Sequence, residues 1–225
     1  MQYSLKFKVN DSVFLKDPNE TELGRQIISR AIPLIKNLGF EEFTFKKLAN
    51  EIDCTEASIY RYFENKHKLL LYIISLYWNY MEYQVTMTPS DRDPSQRILD
   101  IIDLLTEEPK AYPVEFEIDT KSLLDIVITE SSKTYLIKKV DEINKLKVFQ
   151  PYKDLCHHIA DLIKQVDPDY PFAHSLASTI VETAHDQFYF YRYLPSLTDG
   201  KENQDEQKYV RQYLYHLISK VLKIK

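Results

Sequence analysis

Apolar side chains recur at helical spacing along most of the chain. Leu23, Ile27, Ala31, Leu34 and Leu38 share one face, Thr21 stands in the N-cap position, and Gly39 is placed to end the helix. Pro33 lies inside this run and removes one backbone hydrogen bond, so a kink or a later helix start is expected there. Thr44 then caps a short helix whose Phe45, Leu48, Ala49 and Ile52 fall at i, i+3, i+4 and i+7. Asp53-Cys54 breaks it, and Thr55 caps a second short helix with Ala57, Ile59 and Phe63 on its inner face. Asn65 next caps a long helix carrying Leu69, Leu70, Ile73, Leu76, Tyr77 and Tyr80. Beyond Pro89, prolines separate helical periods near 94–106, 120–131, 133–146, 151–166, 171–193 and 204–223, while Lys110 to Ile118 reads as extended. At the start, Tyr3, Leu5, Phe7 and Val9 alternate with polar residues before the turn-forming Asn10-Asp11 and Val13-Phe14-Leu15, which fits a short hairpin or an extended arm.

The pattern predicts an all-α chain: an N-terminal three-helix helix-turn-helix unit followed by a larger helical bundle. The expected divisions are an arm or hairpin at 1–19, the helix-turn-helix at 20–68 and the bundle at 69–225. In the first unit, Phe45, Leu48 and Ile52 hold one short helix in place so that the next presents Glu56, Ser58, Arg61 and Tyr62 outward.

Composition narrows the function. Three glycines, Gly24, Gly39 and Gly200, cannot build a dinucleotide fingerprint or a phosphate-cradling loop, both of which need clustered glycines. Cys54 and Cys156 are far apart and belong to no metal-type pair, which suits reduced thiols. The longest strongly apolar run, Leu69 to Trp78, is far below the ~20 residues of a membrane helix. No membrane partner is expected. The first nine residues lack the apolar core of a secretory signal, so the expected location is the cytoplasm. The formal charge of −5 is unevenly spread: residues 1–70 hold 11 basic and 10 acidic side chains, and 71–225 hold 18 and 24.

The runs Gly39-Phe40-Glu41-Glu42-Phe43-Thr44-Phe45-Lys46-Lys47-Leu48-Ala49-Asn50-Glu51-Ile52 and Thr55-Glu56-Ala57-Ser58-Ile59-Tyr60-Arg61-Tyr62-Phe63-Glu64-Asn65-Lys66 closely resemble the DNA-binding domain of the tetracycline-repressor (TetR) family. The resemblance covers about residues 21–80. It implies that Thr44 and Lys46 or Lys47 touch phosphates, that Tyr60 and Lys66 grip the DNA backbone, and that Thr55, Glu56, Ala57, Ser58, Arg61 and Tyr62 face the major groove. The chemistry agrees for several of these: Lys46, Lys47, Arg61 and Lys66 can neutralise phosphate, and Arg61 can instead read guanine. A half-buried ring with a solvent-facing hydroxyl explains Tyr60 nearly as well. Two features depart from the family's usual pattern: Asp53 occupies the turn where glycine is frequent, and Glu56 places an acid on the first turn of the recognition helix. From Thr44 to Lys68 five basic residues face four acidic ones, so weak, salt-sensitive non-specific binding is expected. Lys6, Lys8 and Lys16 supplement that face if the chain start is an arm.

The same resemblance assigns ligand binding and dimerisation to the larger helical bundle, and the partners it implies are a near-palindromic double-stranded operator, a second copy of the chain and a small-molecule effector of unread identity. Effector binding would favour a conformation whose two recognition helices no longer match adjacent major-groove half-sites. The long helix from 65 would carry the shift. No cofactor, metal or catalytic residue is expected. In the bundle, Ala173, Ala177, Ile180, Ala184 and Phe188 form a small-residue stripe, matched by Val210, Leu214, Leu217 and Val221. Together these fit a four-helix dimer interface; packing within one chain is the other reading. Two alternatives differ in class. Glu182 with His185, and Asp154 with His157, have the i, i+3 spacing of a di-metal carboxylate enzyme. The near-neutral helix-turn-helix equally fits a regulator-like protein that has lost DNA binding.

Overall fold

The computed structural model describes residues 9–89, 91–109, 118–138 and 140–224. Among them the chain forms α1 (Glu22–Leu38), α2 (Phe45–Glu51), α3 (Glu56–Tyr60), α4 (Lys66–Thr86), α5 (Pro94–Thr106), α6 (Thr120–Glu130), α7 (Ser132–Tyr135), α8 (Val140–Lys145), α9 (Gln150–Val166), α10 (Ala173–Tyr193) and α11 (Glu206–Leu222), with short 3₁₀ turns and no strand. These residues make two compact units. One draws on Met1–Tyr80 and Pro109–Gln150, the other on Met81–Glu108 and Pro151–Lys225. The boundary expected at 68/69 falls inside α4, which contributes to both. No helix among the described residues is long and apolar enough to cross a membrane.

In the first unit, Thr21 caps α1 by accepting from the Gly24 N–H, and the helix runs unbroken through Pro33 from Glu22, without the later start that Pro33 suggested. Its buried stripe is Gly24, Ile27, Ile28, Ala31, Ile32 and Ile35, one position round from the predicted face, so Leu38 is exposed. Gly39 ends α1 at φ +76°, a backbone angle that L side chains rarely adopt, and its N–H donates to the Ile35 carbonyl. Gly24 is required for space: a Cβ there would lie 2.3 Å from the carbonyl oxygen of Pro18, in the 3₁₀ turn Pro18–Glu20.

The chain start is not a hairpin where it is described. Asn10 accepts from the backbone N–H and the hydroxyl of Ser12 (2.9 and 2.6 Å), which winds Asp11–Val13 into a 3₁₀ turn. Val13 is buried, and Lys68 Nζ donates to the Ser12 carbonyl at 2.7 Å, fastening the turn to α4. Tyr3, Leu5, Lys6, Phe7 and Lys8 lie outside the described residues, as do 110–117 of the stretch expected to be extended. The single helix expected over 133–146 is two short ones. Thr134 is buried and its hydroxyl donates to the Ser131 carbonyl, and the chain leaves helical geometry at Leu136.

In the second unit, Asp93 caps α5 by accepting from the N–H groups of Ser95 and Gln96, with Pro94 in the first turn where a missing N–H costs nothing. Arg211 of α11 reaches Asp103 (3.1 Å) and Glu107 (3.0 Å) of α5, and the Tyr215 hydroxyl donates to Asp103 at 2.7 Å. Arg192 of α10 makes a two-pronged contact with Glu206 of α11, at 2.8 and 2.7 Å. These packed faces overturn most of the expected dimer surface. Ala173, Ala177, Ile180, Ala184, Phe188, Val210 and Leu214 are all buried within one chain, none more than 4% exposed, so their apolar area is already used in the unit's own core. Leu217 and Val221 are half-buried.

Candidate nucleic-acid interface

Two capped helices and the break between them set the geometry. Thr44 accepts from the Lys47 N–H to start α2, which buries Phe45, Leu48 and Ala49 while Ile52, at its end, is half-buried. The reversal is made by Asp53 at φ +50°, the left-handed turn for which glycine is the usual residue and which aspartate tolerates better than most. The Cys54 N–H then returns to the Ala49 carbonyl at 2.9 Å. Thr55 caps α3 by accepting from the Ser58 N–H, and Ile59 and Phe63 enter the core. Burying those two rows fixes what α3 shows to solvent.

Along the solvent side, Thr55 Oγ1 and Ser58 Oγ share a hydrogen bond at 2.9 Å, and Arg61 Nη2 donates to Ser58 Oγ at 3.3 Å. Thr55, Ser58 and Arg61 thus form one polar row at a spacing of three. Ala57 is exposed, not on the inner face, and Glu56 is half-exposed beside it. Tyr60 is 48% exposed, with its ring edge against Phe45 at 5.0 Å, so it combines a packed ring with an accessible tip. Lys46 is exposed. Lys47 is also exposed, but its ammonium donates to the Glu42 carbonyl at 2.7 Å and lies 3.7 Å from the Glu42 carboxylate.

Two expected contact residues point elsewhere. Tyr62, expected on the groove side, is 4% exposed: its hydroxyl meets that of Thr21 at 2.7 Å, and its carbonyl accepts from the Leu15 N–H at 2.7 Å. The Lys16 ammonium sits 5.3 Å from its ring centroid. Lys66, expected on the DNA backbone, has all three ammonium protons engaged by the carbonyls of Phe40 (2.9 Å), Glu41 (2.8 Å) and Phe43 (3.1 Å). It holds the loop between α1 and α2.

That loop has a second support which the sequence did not reveal. Glu130, at the end of α6 and only 7% exposed, accepts from the Phe40 N–H through Oε1 at 3.1 Å. Its other oxygen lies 2.8 Å from Lys133 Nζ, which also reaches Glu41 at 2.9 Å. Burial works against the charged Lys133, but its bonds to Glu130 and Glu41 prevail and hold its pKa above the usual lysine value. Lys133, above all by a hydrogen bond, holds the Glu41 carboxyl below the usual carboxylate value. Glu130 continues the apolar face Leu123, Ile126 and Val127 at helical spacing, and an acid at that position was the available signal.

The metal-type pairs of the second unit do not converge. The Glu182 carboxylate accepts from the Tyr152 hydroxyl at 2.6 Å, the His157 ring stacks on His174 with centroids 5.2 Å apart, and His185 is buried. Desolvation pushes the His185 pKa down to about 4. No group of three or more His, Cys, Asp or Glu among the described residues is placed to hold a metal ion.

Residues 27–73 match the family model described as bacterial regulatory proteins, tetR family. No curated protein matches the chain. Among solved structures, a TetR-family transcriptional regulator from Pectobacterium atrosepticum superposes with TM-score 0.57 at 12% identity, covering 92% of this chain and 97% of that one. AibR in complex with isovaleryl coenzyme A and operator DNA gives TM-score 0.54 at 15% identity, covering 86% and 97%. The ketosteroid transcriptional regulator KstR2 of Mycobacterium tuberculosis gives 0.53 at 13% identity, covering 92% and 97%. Residues 27–73, which hold the two capped short helices, thus match the tetR family of bacterial regulatory proteins, and the chain has the fold of the TetR-family regulator from Pectobacterium atrosepticum.

Proposed function

We propose that this chain is a sequence-specific DNA-binding transcriptional regulator, a repressor released from its operator by a small-molecule effector. The observation that carries the reading is the row Thr55, Ser58 and Arg61 along α3 and its two caps, turned to solvent by the burial of Ile59 and Phe63, with Lys46 of α2 and Tyr60 of α3 also exposed. Hydroxyls and a guanidinium on an exposed short helix, braced by a second capped helix, suit a major groove. AibR, whose structure holds both an acyl coenzyme A and operator DNA, supports a ligand-responsive reading of the shared fold. The DNA-binding role belongs to the unit containing α1 to α3, and effector binding to the second unit.

The reading includes a homodimer in the cytoplasm and no catalytic step. With the small-residue stripe buried, apolar residues of these two helices that stay accessible to a second copy include Leu217, Val221 and Tyr213 of α11 and Phe172, Tyr193, Leu194 and Leu197 at the ends of α10. Genomic DNA selection with the purified protein, at two salt concentrations, tests the proposal. It is expected to enrich a near-palindromic site whose affinity falls steeply as salt rises. Enrichment of no site at low salt overturns it.

A further inference from the structure

We propose that Glu130 is a positioning residue for DNA binding, fixing the α1–α2 loop, and through it α2 and α3, by capturing the Phe40 N–H. The inference rests on the reading of this unit as DNA-binding. A carboxylate at the end of an apolar helix face is expensive to bury unless its oxygens are engaged. Here Oε1 is hydrogen-bonded. The second oxygen makes no hydrogen bond of good geometry among the described residues but lies in ion-pair contact with Lys133, and both contacts lead to the same loop. Oε1 takes the Phe40 N–H directly, and the second oxygen takes Lys133, whose ammonium goes on to Glu41.

The loop is gripped from its other side as well. Lys66 binds the carbonyls of Phe40, Glu41 and Phe43, and the Phe40 ring lies under both ammonium groups, 4.8 Å from Lys66 and 5.7 Å from Lys133. Phe40 is thus held by its N–H, its carbonyl and its ring. Thr44, which caps α2, follows four residues later, and the Phe43 N–H bonds back to Gly39 at 3.2 Å. The segment has little freedom once Phe40 is fixed. Since α6 packs along α1, Glu130 ties the start of the helix-turn-helix to a helix about ninety positions away in sequence. Neither Glu130 nor Lys133 is on the face that α3 shows to solvent, so their effect on DNA runs through geometry and not through contact.

The test compares Glu130→Ala, Glu130→Gln and wild type for binding to the selected operator, with thermal unfolding of each followed in parallel and binding measured well below the unfolding range. Glutamine keeps an oxygen to accept from Phe40 and gives up the ion pair with Lys133, towards which its NH2 would turn; alanine keeps neither. The expected result is a loss of about tenfold in operator affinity for Glu130→Ala, recovery to within about threefold for Glu130→Gln, and an unchanged slope of affinity against salt, because no phosphate contact is removed. Hydrogen exchange of the Phe40 amide supplies a readout without DNA: protection falls in Glu130→Ala and persists in Glu130→Gln. If folded Glu130→Ala binds the operator as wild type does, or if the salt slope drops by about one contact, the positioning role is wrong. Failure of wild type to bind any DNA instead sinks the DNA-binding reading, and undiminished Phe40 protection in Glu130→Ala overturns the clasp by itself.

Discussion

The hydroxyl oxygen of Tyr62 lies 2.7 Å from that of Thr21, joining the residue just beyond α3 to the residue that caps α1. The pair explains why a side chain next to Arg61 is turned away from solvent. Tyr62→Phe removes this bond and leaves the ring buried, so a loss of about 1 kcal/mol in urea unfolding is expected, with the salt slope of DNA binding unchanged. Thr21→Ala removes both this bond and the α1 cap and is expected to cost about 2 kcal/mol. A reduced salt slope in Tyr62→Phe would return Tyr62 to the DNA side.

Asp53 tests the turn. At φ +50° it occupies the left-handed region, where a Cβ-bearing residue without a short polar side chain is strained by roughly 1 kcal/mol. Asp53→Ala is expected to lower stability by about that amount. Asp53→Gly should leave it unchanged or slightly raised, because the relief of strain offsets the greater freedom of glycine in the unfolded chain. Equal stability of the alanine and glycine variants in urea would contradict the backbone argument.

Arg61 is the exposed cation on α3 best placed for recognition. Arg61→Ala is expected to weaken operator binding by about 1–3 kcal/mol. Competition with operators altered one base pair at a time distinguishes the two ways it can act. A loss of preference confined to one position assigns it to a base edge, and a uniform loss with a shallower salt slope assigns it to phosphate. Unaltered binding removes it from the interface.

On the DNA-binding reading, Glu56 of the same helix is expected to repel the phosphate backbone. Glu56→Lys exchanges repulsion for attraction, so binding to unrelated DNA should strengthen and the ratio of operator to non-operator affinity should fall. Filter binding or fluorescence anisotropy against both DNAs reads the two affinities together. Unchanged binding to both would place Glu56 off the DNA face.

His185 makes stability depend on pH. Burial holds its pKa down at about 4, whereas in the unfolded chain it titrates near 6.5. Between those values the unfolded state takes up a proton that the folded state refuses, so stability is greatest above pH 6.5 and falls as pH drops towards 4, by roughly 3 kcal/mol at most. His67 and His158 are also lowered, mainly by desolvation and then by Lys68 and Arg97 respectively, and act in the same direction. A His185→Met variant should flatten the fall in melting temperature between pH 6.5 and 4.5. A profile as steep as that of wild type would assign the effect elsewhere.

Capping hydroxyls and short apolar spacings made the helix-turn-helix legible, because Thr21, Thr44 and Thr55 each act on the backbone N–H three residues away. The face of α10 was misread for a related reason. A stripe of Ala173, Ala177 and Ala184 tells that something packs closely there, but whether the neighbour is the same chain or another copy depends on contacts distant in sequence. Tyr62 and Lys66 show the same limit. Each has the residue type that DNA contacts use, and each is claimed by partners outside its own helix: Thr21 and Leu15 for one, Phe40, Glu41 and Phe43 for the other. Periodicity placed Glu130 on the apolar face of its helix, but its meaning comes from Phe40, ninety residues earlier.

The inward turn of Lys66 bears on how such a protein would find its site. With that ammonium committed to carbonyls and Lys47 shared with Glu42, few unshared cations remain beside Glu51, Asp53 and Glu56. Random genomic DNA then acts as a shallow trap: dwell times on wrong sequences are short, and a larger fraction of molecules is in solution at any moment. On the proposed function, discrimination would rest on the fit of one short helix, and occupancy of an operator would respond quickly to changes in the number of competent molecules.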